Sequence, residues 1–194
     1  MRELVYNKSE KKYRRFLIMN LPNKITLTRV ILIPVCILTL LSNLPFTRIL
    51  AVIIFIVASL TDALDGYIAR SQNLITNFGK FMDPLVDKLL VNSVLIALVQ
   101  MRNLSCWVVI IIIWREFIVT GFRLTAVSEN VVIPANNLGK IKTVLQMIMT
   151  VIVMLDFKND YMIVIKYIFI GAALIFTIIS GCDYVYKNKG VLKE

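Results

Sequence analysis

Long apolar stretches recur along the chain from Ile25 to Tyr186, separated by short groups of polar and charged residues. Six of them, at 25–43, 48–70, 83–101, 105–127, 138–156 and 161–186, approach or exceed the length that an α-helix needs to cross the hydrocarbon of a bilayer, about 20 residues. The pattern predicts an all-α integral membrane protein of six transmembrane helices. The connections at Asn43–Pro45, Arg102–Leu104 and Asp156–Asp160 are short, whereas Ser71–Met82 and Ser128–Asn137 are longer and carry polar or turn-forming residues. No extended Pro/Gly/Ser-rich linker divides the apolar part. We therefore expect one membrane domain over 21–186, preceded by a basic arm at 1–20 and followed by a short tail at 187–194.

Composition sharpens this picture. Hydrophobic residues make up 58% of the 194 positions, and the mean hydropathy is +0.78, so the solvent of most of the chain is lipid. An even number of spans puts both termini on one side. With each charge assigned to its nearer side, only Arg48, Arg102, Lys158 and Lys166 of the 22 basic residues fall opposite the termini. Basic residues accumulate on the cytoplasmic side, which predicts cytoplasmic termini and longer loops. The arm holds Arg2, Lys8, Lys11, Lys12, Arg14 and Arg15 but no apolar core with a small-residue cleavage site, so it reads as an orienting segment and not as a removable signal.

The net charge of +10 does not point to nucleic acid, because the basic residues flank several membrane segments and are not gathered on a soluble face. Cys36, Cys106 and Cys182 stand singly in apolar segments, without the spacing of a zinc site or a disulfide framework.

One segment carries chemistry. Asp62-Ala63-Leu64-Asp65-Gly66-Tyr67-Ile68-Ala69-Arg70 is followed after eight residues by Gly79-Lys80-Phe81-Met82-Asp83-Pro84-Leu85-Val86-Asp87. Asp62 and Asp65 are three positions apart and Asp83 and Asp87 four, so each pair shares a helix face. Unpaired carboxylates in a membrane segment are costly, and four of them near the ends of adjacent spans need compensation by cations, water or basic side chains. Oxygen-only ligands suit Mg2+ or Mn2+, and the chain has no His to supply the commonest nitrogen ligand for zinc. Gly66 and Ala69 lie on roughly the face of Asp62 and Asp65 and leave room beside them, although small residues also serve plain helix packing in membranes.

The full pattern, D-x2-D-G-x2-A-R-x8-G-x3-D-x3-D, resembles the signature of the CDP-alcohol phosphatidyltransferase family, with every fixed position filled. The resemblance implies a six-helix fold, a homodimer and a place in a bacterial-type cytoplasmic membrane. It also implies that Asp62, Asp65, Asp83 and Asp87 surround two divalent ions, and that Gly66, Ala69, Arg70 and Gly79 help to hold the cytidine diphosphate part of CDP-diacylglycerol. Asp87 takes the place of the general base, and the absence of His independently leaves a carboxylate as the natural proton acceptor. The implied reaction is attack of an alcohol oxygen on the lipid-linked phosphorus with release of CMP. One displacement would invert the phosphorus and a covalent phosphatidyl-enzyme would retain its configuration, and both remain open.

The acceptor alcohol is read from other charges. Arg29, Lys88, Arg115, Glu116, Arg123, Lys140 and Lys142 lie within spans, mostly toward the cytoplasmic side, and their excess of cations favours an anionic acceptor. Arg115, Glu116 and Arg123, with Lys140 and Lys142 opening the next span, are the candidate acceptor-phosphate residues, Arg because its guanidinium donates parallel hydrogen bonds to phosphate. The lysines serve equally well as snorkelling anchors.

The segments Leu21–Arg29, Trp114–Phe117 and Gly139–Thr143 resemble family members that use glycerol 3-phosphate, and the same resemblance sets Asn23, Thr26 and Arg29 at the mouth of the donor site. Inositol phosphate, serine or a second phosphatidylglycerol are the rival acceptors, since the aspartate pattern reports the donor side alone. A transporter with an intramembrane acidic site is the rival of a different class.

Overall fold

The computed structural model describes residues 21–42, 44–71, 77–128 and 137–188, and within these the side chains of 21–27, 29, 45, 62–71, 77–87, 124, 127 and 128 are not described. The described residues form six α-helices and no strand: α1 Leu21–Leu41, α2 Pro45–Ser71, α3 Asn77–Gln100, α4 Cys106–Ser128, α5 Asn137–Leu155 and α6 Asp160–Asn188. Each covers one of the apolar runs. In lipid every backbone N–H and C=O must find its partner within the segment, and a helix does this with no neighbour at all. Among the described residues, α5 and α6 are long and apolar enough to cross a membrane by length and composition, and shorter apolar stretches occupy Val30–Leu41, Phe46–Thr61 and Lys88–Gln100.

The turn after α3 closes with a left-handed residue. Arg102 has φ of 60°, its N–H donates to Val99 O at 3.0 Å, and the N–H of Asn103 donates to Leu98 O at 3.0 Å. This is the paired capping pattern that glycine usually completes, here with an arginine in the strained position.

The dry core draws on alternate halves of successive helices: Cys36 and Leu40 late in α1, Ala51 and Phe55 early in α2, Val94 and Leu98 late in α3, Ile112 in the first half of α4, and Val153 and Met154 late in α5. Such alternation is what an up-and-down bundle produces. α1 packs on α2 and α3, α4 and α5 each pack on α6, and α3 contacts both α4 and α5.

Outward faces remain apolar, with Leu38, Phe46, Trp107, Trp114, Phe117 and Ile168 exposed, as suits a surface met by acyl chains. At the core end of the bundle, Asp156 accepts from Arg48 Nη1 at 2.7 Å and lies 3.8 Å from Lys166 Nζ, tying α2, the end of α5 and α6 together. The opposite end is where chemistry-bearing residues collect.

Candidate functional site

Asp62 and Asp65 fall in the second half of α2, and Asp83 and Asp87 in the first half of α3. Both pairs therefore stand at helical spacing on helices that contact each other. The side chains of these four aspartates, and of Gly66, Ala69, Arg70 and Gly79, lie outside the described residues, as do those of Asn23, Thr26 and Arg29 in the first half of α1. An all-oxygen donor set in a chain without His fits a hard divalent cation.

One residue beyond Asp87 the described side chains resume, and a polar cluster begins. Glu116 on α4 is its centre. It accepts from Arg115 Nη1 at 3.1 Å and from Lys142 Nζ on α5, and its other oxygen lies 3.6 Å from Lys88 Nζ on α3. Lys88 also donates to Thr120 Oγ1, whose hydroxyl donates to the Glu116 carbonyl at 2.6 Å. Arg115 Nη2 donates to Ser180 Oγ on α6 at 3.1 Å. Four helices thus meet around one carboxylate.

Burial sets the energetic meaning of this arrangement. The Lys142 side chain is 2% exposed, Arg115 12% and Glu116 14%. Three cations touch a single anion, so among the described residues two positive charges have no counter-charge. Uncompensated charge away from water is expensive, and a doubly charged phosphate monoester would balance it. Arg115 Nε–H is buried without a partner among the described residues, a further donor on the same guanidinium. Lys88, Asn92, Glu116, Lys142 and Gln146 line a cavity of about 60 Å3.

Arg115, Glu116, Arg123, Lys140 and Lys142 are the residues expected from the sequence to meet the acceptor. The structure brings Arg115, Glu116 and Lys142 together and sets the other two apart. Arg123 is exposed and holds its guanidinium 5.7 Å from the centroid of the Tyr184 ring, which itself meets Phe122 edge-on. Lys140 is exposed, because two residues along a helix turn a side chain about 200° away from Lys142.

Lys88, Thr120, Gln146 and Ser180 were not assigned from the sequence. A signal existed for the last two, buried polar residues inside apolar runs, but it does not say what they face.

A larger groove of about 650 Å3 lies between α4 and α6, walled by Trp114, Ile118, Ile178 and Tyr186, with Arg115 at its edge. Its lining is almost wholly apolar, so it suits hydrocarbon and not a charged substrate.

These features define a class: an all-helical, strongly apolar protein with aspartates at helical spacing on two contacting helices and a buried, cation-rich polar cluster that begins one residue past Asp87. The chain belongs to the CDP-alcohol phosphatidyltransferase family, whose model matches residues 19–179, a family generally dependent on divalent cations. It is similar to a CDP-diacylglycerol–glycerol-3-phosphate 3-phosphatidyltransferase of Bacillus subtilis (strain 168), 44% identical over 188 residues that cover 90% of this chain and 97% of the relative. An enzyme of the same name from Rickettsia bellii (strain RML369-C) is 42% identical over 85% of this chain and 93% of its own length. A probable phosphatidylglycerophosphate synthase of Mycobacterium tuberculosis (strain ATCC 25618 / H37Rv) is 38% identical over 88% of this chain and 82% of the relative.

Proposed function

We propose that this chain transfers the phosphatidyl group of CDP-diacylglycerol to glycerol 3-phosphate, giving phosphatidylglycerol phosphate and CMP. The names of the relatives support the reaction. The observation that carries the acceptor is the Glu116 cluster, whose two unbalanced positive charges and free Arg115 donor match a phosphate monoester and have no counterpart in a neutral alcohol such as an unphosphorylated polyol. Serine, a zwitterion without a phosphate, would leave that charge unmet.

Asp62, Asp65, Asp83 and Asp87 would hold two divalent ions, Mg2+ or Mn2+, which when bound neutralise the diphosphate of the donor. Asp87 takes the proton of the acceptor hydroxyl, the freed oxygen attacks the lipid-linked phosphorus, and CMP departs with the electron pair of the cleaved P–O bond. Lys88 directly follows Asp87 in α3, which supports an acceptor phosphate on the Lys88, Arg115 and Lys142 side with its hydroxyl toward Asp87. Gly66, Ala69, Arg70 and Gly79, with Asn23, Thr26 and Arg29, serve the donor. The excess of basic residues beside the termini supports an active site facing the cytoplasm, and family membership supports a homodimer.

The test is CMP release by purified full-length chain in lipid nanodiscs, given CDP-diacylglycerol, Mg2+ or Mn2+, and in separate reactions glycerol 3-phosphate, inositol phosphate, serine or phosphatidylglycerol. Turnover with glycerol 3-phosphate and a product of the mass of phosphatidylglycerol phosphate is expected. Turnover with serine but none with glycerol 3-phosphate would sink the acceptor assignment. Intact CDP-diacylglycerol with every alcohol would sink the transferase reading.

A further inference from the structure

Arg115 enters the polar cluster from α4 but is held from α6. Its Nη2 donates to Ser180 Oγ at 3.1 Å, and Ser180 in turn donates its hydroxyl hydrogen to the Thr177 carbonyl at 3.2 Å. A serine has one hydrogen to give. With that hydrogen spent on the helix backbone, its lone pairs are turned toward the guanidinium. Thr177 repeats the arrangement one turn earlier, donating to the Ala173 carbonyl at 2.6 Å, and Thr177 and Ser180 are both buried.

The next residue shapes the stem of the same arginine. A Cβ added at Gly181 would stand 3.0 Å from Arg115 Cγ, closer than carbon atoms ordinarily pack, and the atom it meets is in the middle of the side chain and not at its free end. One added at Gly139, at the start of α5, would meet Arg115 Nη2 at 3.7 Å, an ordinary contact. The bare backbone at Gly181 is thus what lets the stem lie flat against α6 while Ser180 takes the tip.

We infer that the α6 pair Ser180 and Gly181 positions Arg115 for the acceptor phosphate, Gly181 by admitting the arginine stem and Ser180 by fixing one guanidinium nitrogen. This rests on the assignment of Arg115 to the acceptor. The physical reason is entropy and direction. A free arginine side chain has many rotamers to lose when it binds, and a pre-set fork loses fewer. With Nη1 on Glu116 and Nη2 on Ser180, the guanidinium plane is fixed at two points, and the partnerless Nε–H is left as a donor of defined direction. Neither α6 residue touches the substrate. They are positioning residues.

The experiment measures the KM for glycerol 3-phosphate, the KM for CDP-diacylglycerol and thermal stability in full-length Ser180→Ala, Gly181→Ala, Arg115→Ala and the Arg115→Ala/Ser180→Ala double variant. Loss of a hydrogen bond to a charged group predicts a rise of about tenfold in acceptor KM for Ser180→Ala, with the donor KM within about twofold. Gly181→Ala should raise the acceptor KM in the same selective way, with the donor KM again within about twofold. A purely structural glycine would not move the acceptor KM and leave the donor KM in place.

Adding Ser180→Ala to Arg115→Ala should raise the acceptor KM no further, because the serine acts through the arginine. If Arg115→Ala raises the acceptor KM and both α6 single variants leave it unchanged, or raise both KM values alike, the positioning role is refuted and the acceptor reading stands. If Arg115→Ala itself leaves the acceptor KM unchanged, the acceptor reading of Arg115 is refuted, and the positioning role falls with it.

Discussion

Lys142 and Glu116 form one ion pair, yet replacing each should damage different properties. Among the described residues Glu116 is the one anion beside three cations, so Glu116→Gln leaves Lys88, Arg115 and Lys142 facing one another with no described carboxylate between them. Removing one partner of a buried pair costs about 3–5 kcal/mol, and three stranded cations put this case at the upper end of that range. Lys142→Met removes a charge that is 2% exposed but keeps the length and volume of the side chain, and Glu116 still has Arg115 at 3.1 Å and Lys88 at 3.6 Å. The carboxylate stays compensated, so the expected loss of stability is roughly 1.5–3 kcal/mol, that of one charge-assisted hydrogen bond.

For binding the order reverses. Lys142→Met halves the unbalanced positive charge offered to the acceptor phosphate, and a lost contact of about 1.5–3 kcal/mol corresponds to an acceptor KM roughly 10- to 100-fold higher. The assay pairs thermal unfolding of the purified, ligand-free protein in nanodiscs with CMP-release kinetics over a range of glycerol 3-phosphate. Lys142→Met should be the more stable variant and show the selective rise in acceptor KM. If it instead melts as low as Glu116→Gln while its acceptor KM is unchanged, the cluster is a structural clamp and the phosphate argument is wrong.

Other expectations follow from the same reasoning. Asp87→Asn keeps the shape of the proposed base but cannot take a proton, so CMP release should fall by about 10^2- to 10^4-fold at saturating substrates, and near-normal turnover would reassign the base. Stripping divalent ions with EDTA should abolish turnover, and Mg2+ or Mn2+ should restore it where Ca2+ does so poorly, because the larger ion accepts looser geometry; turnover that survives exhaustive chelation would remove the metal from the proposal. Arg102→Gly relieves a left-handed residue at φ of 60° in the cap after α3 and should stabilise the protein by about 1 kcal/mol without changing kinetics, which a lower melting temperature would contradict.

The sequence by itself was sufficient for the helices and for the reaction class. Apolar runs at 25–43 through 161–186 became α1 to α6 with ends shifted by a few residues, because in lipid an apolar run has no other way to satisfy its backbone. The aspartate spacings were equally legible, since 62/65 and 83/87 are intervals within single helices, and helical geometry fixes which positions share a face. The same local rule separates Lys140 from Lys142, about 200° apart on α5, although charge alone had grouped them.

What only the tertiary structure decided is which faces meet. Lys88 reached the cluster because α3 lies beside α4, Ser180 because α6 does, and Arg123 left it because two turns beyond Arg115 the neighbouring side chain is the ring of Tyr184. Periodicity carries information about one helix at a time. Cross-helix register is set by packing between side chains distant in sequence, and in this chain it turns four scattered charges into one carboxylate ringed by three cations.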